Sequence, residues 1–248
     1  MRFFLIPKLM LLSKIAMSQI TLPAYQGVVS KISTVNVMSC PGLATVTDID
    51  NNIYNTVLIG TQCWMASNLR VSTYNTGVTI PLDVSGGSGG TESQTWNTKT
   101  TGVRTIYAHN SSNLTTYGYL YNWYAATDTK KICPTGWHVP TTTEWTTLTT
   151  YLGGITIAGG DMKSTGSTLW TTPNTGADNS SGFSALPGGV RWTGAGGAFG
   201  GIRDYAYFWS TTANGTAAWY RRLSYLDNDV FVDDCGKPCG HSVRCLRD

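Results

Sequence analysis

Along most of this chain apolar and polar residues alternate in short runs broken by Gly, Asn, Asp and Ser, the rhythm of strands and tight turns. Residues 45–59 (Thr-Val-Thr-Asp-Ile-Asp-Asn-Asn-Ile-Tyr-Asn-Thr-Val-Leu-Ile) predict two strands joined by an Asp/Asn turn. Residues 64–70 predict a short buried segment, and further short strands are expected within 183–192 and over 205–210, 217–225, 229–233 and 242–246. One stretch departs from that rhythm and predicts a capped helix over 142–152. Thr141 can accept from the first-turn amides, Glu144 three residues on can reach back to the cap, and Gly153-Gly154 stop the helix. A weaker helix or turn is expected near 159–164. Glycines 188, 189, 194, 196, 197, 200 and 201 mark tight turns, and Gly86-Gly-Ser-Gly-Gly90 reads as a flexible loop. The pattern predicts an α+β fold, irregular, with long loops, short antiparallel strands and few helices.

Length changes little: 248 residues fit one medium domain, or one domain with a leader. Charged residues make up 12% and the net charge is +3, too small and too scattered for the clustered Lys/Arg footprint of a nucleic-acid binder. Nine Trp and thirteen Tyr supply apolar surface for a core and for contact platforms. Residues 1–24 resemble a signal imperfectly, because Lys8 and Lys14 break an apolar run too short to span a bilayer. Three readings stay open there: a degenerate secretory signal, a membrane-surface segment that contacts lipid or neighbouring subunits, and a core element, the first two preferred. Residues 25–39 read as a polar connector and 40–248 as the domain. Six cysteines in a weakly charged, hydroxyl-rich chain point to an oxidising compartment, extracellular or at the cell surface. The preferred pairing is Cys133–Cys245, stapling the chain end to the helix entrance, with Cys40–Cys63 and Cys235–Cys239.

Several motifs are long enough to compare with a known family. They are Val46-Thr-Asp-Ile-Asp with Tyr54-Asn-Thr-Val-Leu-Ile-Gly-Thr-Gln-Cys-Trp-Met-Ala-Ser-Asn-Leu69, Tyr119-Leu-Tyr-Asn-Trp123, Cys133-Pro-Thr-Gly-Trp-His-Val-Pro140, Phe183-Ser-Ala-Leu-Pro-Gly-Gly189, Trp209-Ser-Thr and Ser242-Val-Arg-Cys245. In this order they resemble the Fibrobacter major paralogous (FISUMP) domain. The resemblance implies a C-type-lectin-like fold, shared with formylglycine-generating enzymes, and a secreted or surface-attached bacterial module whose loops before the final cysteine contact ligand. It also implies a link to the variable products of diversity-generating retroelements, with residues 220–240 where such variation falls. Relatives are often Asn-rich there, whereas this chain carries Asp, Phe and Cys. Drift and targeted diversification both fit that departure.

Within that region, strand alternation puts Trp219, Arg221, Leu223 and Tyr225 on one face and Tyr220, Arg222 and Ser224 on the other. Trp219 and Leu223 are expected to fill core. Tyr225, Asp227, Asp229, Phe231, Asp233 and Asp234, with Arg222 and Trp192, are the expected ligand contacts, since aromatic and Arg side chains make low-entropy recognition surfaces. The four aspartates could hold Ca²⁺, but the Glu-Pro-Asn or Gln-Pro-Asp triplets of calcium-dependent sugar binding are missing. Asp48-x-Asp50-x-Asn52 is followed by Ile53 where a calcium loop needs Gly, so a hairpin turn is expected there. A structural calcium stays open and no other cofactor is expected. His109, His138 and His241 show no metal-ligand spacing, and no Ser sits in a nucleophile elbow. Cys235 and Cys239 read as a disulfide rather than a soft-metal pair, His138 as a structural hydrogen-bond partner, and Arg244 as the partner of a buried carboxylate. The expected function is a non-enzymatic extracellular domain that binds a protein or glycan through residues 190–240. The alternatives are a structural subunit of a surface assembly or filament, and a formylglycine-generating-like enzyme.

Overall fold

A computed structural model describes residues 37–86, 94–194 and 197–248. The leader, the connector up to residue 36, Gly196 and most of the Gly-Ser loop lie outside the described residues. In chain order the elements are β1 (Thr45–Thr47), β2 (Ile53–Ile59), β3 (Gln62–Met65), α1 (Gln94–Asn97), β4 (Arg104–Thr105), α2 (Ser112–Tyr117), β5 (Leu120–Tyr121), α3 (Trp123–Ala126), β6 (Trp137–His138), α4 (Thr142–Tyr151), α5 (Ala158–Met162), β7 (Gly188–Arg191), β8 (Phe199–Ile202), β9 (Tyr205–Asn214), β10 (Ala217–Ser224), β11 (Val230–Gly236) and β12 (Leu246–Arg247). The fold is α+β, built from small antiparallel sheets. A five-stranded sheet runs β1-β2-β3-β12-β6, a three-stranded sheet runs β11-β10-β9, and β4-β5 and β7-β8 form pairs.

Asp48 makes the first hairpin. Its carboxylate accepts from the amides of Asp50 and Asn52 and from the Tyr54 hydroxyl, so the Asp/Asn cluster is consumed by the turn. The helix over 142–151 starts as the sequence predicts: Thr141 Oγ1 accepts from the Glu144 amide, and the Glu144 carboxylate accepts from the Thr141 amide. That helix turns Trp145 and Leu148 inward, where Trp145 meets the rings of Trp64, Phe183 and Phe208 at 4.8, 5.8 and 5.7 Å. Three- or four-ring contacts of this kind stabilise a core beyond simple area burial. The short α1, α2 and α3 were not expected, because four to six residues are too few to show a helical period. Asn122 starts α3 by accepting from the Ala125 amide.

The chain end closes the domain. Leu246 pairs with both Trp64 and His138, so β12 is inserted between β3 and β6. The Cys133–Cys245 disulfide lies beside that insertion, and Cys40–Cys63 ties the start of the domain to β3. The strand expected over 242–246 is mostly absent as a ladder. Gly240, His241 and Ser242 instead bridge singly to Arg191, Tyr121 and Phe208, elements of three different sheets, before β12 begins. Neighbouring residues that pair with different sheets stitch them together but cannot form one continuous strand.

Arg244 also departs from expectation. It is fully buried without a carboxylate: its guanidinium donates to Asn68 Oδ1 at 2.9 Å and to the carbonyls of Met65, Phe183 and Ser184. The end of β3 and the loop at 183–184 leave carbonyls pointing at one place, and a planar five-donor fork satisfies them together. The buried ion pair lies elsewhere, between Arg191 and Asp83 at 3.0 Å.

Candidate functional site

The sheet β11-β10-β9 carries the residues singled out as ligand contacts. One face sends Ala206, Phe208, Leu223 and Val230 into the core around Trp64 and Trp145. On the other face, register sets Arg222 opposite both Phe231 and Tyr207, and Tyr220 opposite both Asp233 and Trp209. The Arg222 guanidinium lies over the rings of Phe231 and Tyr205 at 4.3 and 5.3 Å. Tyr207 touches Trp192, Tyr205 and Tyr220 with ring centroids at 5.7, 5.9 and 5.6 Å. Tyr207 and Tyr220 are buried, while Trp192, Tyr205, Arg222 and Phe231 are half-buried and Asp233 is exposed. The result is an aromatic floor with a half-exposed Arg, Trp and Phe layer above it. Burial pushes the Tyr207 hydroxyl up to about 12 and raises that of Tyr220, so both stay protonated and can donate. Tyr220 points its hydroxyl at Asp233 Oδ2, 3.4 Å away.

The expected contact residues are therefore divided. Arg222, Phe231, Asp233 and Trp192 share this platform, and Tyr225 reaches its margin through Tyr205 at 6.3 Å. Asp227 and Asp229 lie in the turn between β10 and β11. That turn is held from below by Lys163, whose ammonium donates to the carbonyls of Thr175, Ser224 and Asp227 at 2.8, 2.8 and 2.6 Å. The Asp227 carboxylate accepts from the Asp229 amide at 3.1 Å, which closes the turn on itself. Asp234 faces the other way and accepts from Asn214 Nδ2 at 2.6 Å. The four aspartates thus occupy a turn and both faces of β11 and do not converge into one oxygen cage. Leu223 fills core as expected, but Trp219 is only half-buried. It stands opposite Asp234 at the outer end of β10, next to a register shift between Ala218 and Tyr220.

The sequence reading put Tyr220 on the Arg222 side but passed over Tyr205 and Tyr207 as part of this surface, although their period-two spacing carried the signal. His241, set aside in the sequence for want of a metal-ligand spacing, also belongs here. This imidazole is fully buried against Tyr207, Trp209 and Tyr220, with ring centroids at 5.3, 4.2 and 4.8 Å. Burial pushes it down to about 3, so it is neutral in the folded protein. Cys235 and Cys239, joined as a disulfide, are its neighbours. The available signal was the spacing Cys-x-x-x-Cys-x-His.

A concavity of about 450 Å³ opens beside Cys133 and is lined by Trp123, Ile132, Trp137 and His138 among others. His138 lies between Asp248 and Glu144, at 2.6 and 2.9 Å. Burial would raise the Glu144 carboxyl, but the Thr141 amide and hydroxyl together with His138 hold it below its ordinary value. His138 thus links the helix start to the chain end, and both ring nitrogens are engaged.

The sequence profile of the Fibrobacter succinogenes major domain matches residues 57–247. No curated protein and no solved structure matches the chain.

Proposed function

The chain belongs to the Fibrobacter succinogenes major domain family, and from that premise we propose a non-enzymatic recognition domain, displayed outside the cell, that captures a protein or glycan on the Arg222–Phe231–Trp192 platform. The observation that carries this reading is Arg222. Its guanidinium lies over two aromatic rings, and Arg222 stays half-exposed, so it loses little entropy on contact. Arg and aromatic side chains over a rigid floor are the residues in which binding energy concentrates. Three disulfides support an oxidising compartment. Among the described residues no helix is long and apolar enough to cross a membrane.

The C-type-lectin-like architecture belongs to the same proposal. Its support is the closure of the domain, with β12 between β3 and β6 and Cys133–Cys245 beside it, which leaves the segment between the two cysteines to build the surface. The diversification reading gains support from burial. Along residues 220–236, core positions such as Leu223 and Val230 alternate with half-buried or exposed ones such as Arg222, Phe231 and Asp233, so the latter can change without disturbing packing.

The test is an Arg222→Ala, Phe231→Ala double variant screened beside the wild type on glycan and surface-protein arrays. The expected result is an unchanged melting temperature with affinity for captured ligands reduced by more than about thirtyfold, the scale of a lost hot spot. Undiminished capture by a folded double variant would remove the platform from the site.

A further inference from the structure

Under the platform the side chains of Cys235, Cys239 and His241 converge, with one donor atom from each lying within 4.8 Å of the others. His241 is fully buried, and among the described residues neither of its ring nitrogens has a hydrogen-bond partner. Leaving a buried polar group unsatisfied forfeits its hydration without return, and such groups in native structures usually mark an ion, a water or a reactive site. Aromatic rings close around the imidazole on the side of Tyr207, Trp209 and Tyr220. Two sulfurs and one imidazole nitrogen form a donor set suited to a thiophilic d¹⁰ cation.

We propose that Cys235, Cys239 and His241 form a Zn²⁺ site that becomes available when the Cys235–Cys239 disulfide is reduced. Disulfide and metal are mutually exclusive occupants, because the ligand is the thiolate. The reductant is a small-molecule dithiol. One of its thiolates attacks the disulfide and displaces one cysteine sulfur as a thiolate, and its second thiolate then releases the other. The S–S bond of the protein breaks, two electrons pass to it, and the dithiol leaves as its own disulfide. The two cysteine thiols formed give up two protons when they bind Zn²⁺, and His241 supplies a ring nitrogen as the third ligand.

The geometry favours this pair over the other two. Cys235 is half-buried and can be reached from solvent, whereas the four cysteines of the other two bridges are at most 9% exposed. The Cα atoms of Cys235 and Cys239 lie 6.2 Å apart. That span suits two sulfurs bound to one ion at about 2.3 Å each. Thr193 Oγ1, 3.6 Å from the Cys239 sulfur, places a neutral oxygen beside the cluster. In either state the end of β11 stays tied to the 239–241 segment beneath the platform, by a covalent bond or through an ion.

The test uses the full chain, reduced with dithiol under conditions that release two thiols, freed of reductant without oxygen and titrated with Co²⁺ as the spectroscopic probe. The expected result is about one Co²⁺ per chain with a sulfur-to-metal charge-transfer band, lost on adding Zn²⁺ and never seen in the oxidised protein. Cys235→Ser should abolish the band. His241→Phe, which keeps an aromatic ring in the same space, should weaken Co²⁺ binding at least tenfold, and His241→Gln serves as the second variant should His241→Phe fail to fold. Absence of the band in the reduced wild type, or a folded His241 variant that binds Co²⁺ as tightly, would overturn the site.

Discussion

Replacing Lys163 by Met tests how the turn beneath the recognition surface is held. Lys163 is fully buried, and its ammonium binds three carbonyls from segments up to 64 positions away in sequence. Hydrogen bonds from a charged donor contribute about 1.5–3 kcal/mol each. Against that stands burial, which pushes the ammonium down to about 8 from 10.5 while the charge of Asp227 opposes the shift. At about 1.4 kcal/mol per pH unit, that depression costs about 3 kcal/mol. Met preserves the apolar stem but leaves the three carbonyls unpaired. The expected loss, read by urea unfolding with the disulfides intact, is about 3–4 kcal/mol at pH 7. The pH dependence has a definite sign. A base whose folded pKa lies below its unfolded one adds stability as pH rises between the two values, because the unfolded chain keeps its proton longer. From pH 8 to 9.5 the wild type should therefore gain about 1.5 kcal/mol over Lys163→Met. A loss below about 1 kcal/mol would show that the carbonyl cage is not what holds the turn. A gap that stays flat or narrows with pH would show that the carbonyls, not burial, govern the ammonium.

Two further perturbations address the frame. Asp83→Ala strips the partner from fully buried Arg191 and should cost about 3–5 kcal/mol in thermal unfolding. Burial alone would raise the Asp83 carboxyl, but Ser85 and Arg191 outweigh it and hold it below its ordinary value, so its contribution should fade as pH falls through the acid range and persist at neutrality. Cys245→Ser opens the bridge across 112 residues and should cost about 2–5 kcal/mol under oxidising conditions. An unchanged melting temperature would show that β12 holds its place by pairing alone.

What could be read from the chain was local. Thr141 and Glu144 are three residues apart, and Gly153-Gly154 follow directly, so both ends of α4 are set by neighbours in sequence. The Asp48 turn is likewise settled within five residues. Alternation showed that Arg222 shares a side with Tyr220, because a strand turns each successive side chain to the opposite face. It could not say which side would be covered. That depended on α4 packing against one face of β9–β11 and on the 239–245 segment closing over part of the other. The aspartates show the same limit. Asp227 and Asp229 looked like ligands for something external, yet a lysine from α5's end and the turn's own amides fix that segment. Arg244 sought a carboxylate by rule, and the fold offered carbonyls of residues 65, 183 and 184 instead. The sequence by itself determined the caps, the turns, the alternation and the family motifs, since each depends on residues within one or two turns of backbone. The tertiary structure alone decided the recognition surface, the lysine cage and the cluster around His241, because their partners meet only after distant segments have packed and buried polar groups have found whatever donors and acceptors lie within reach.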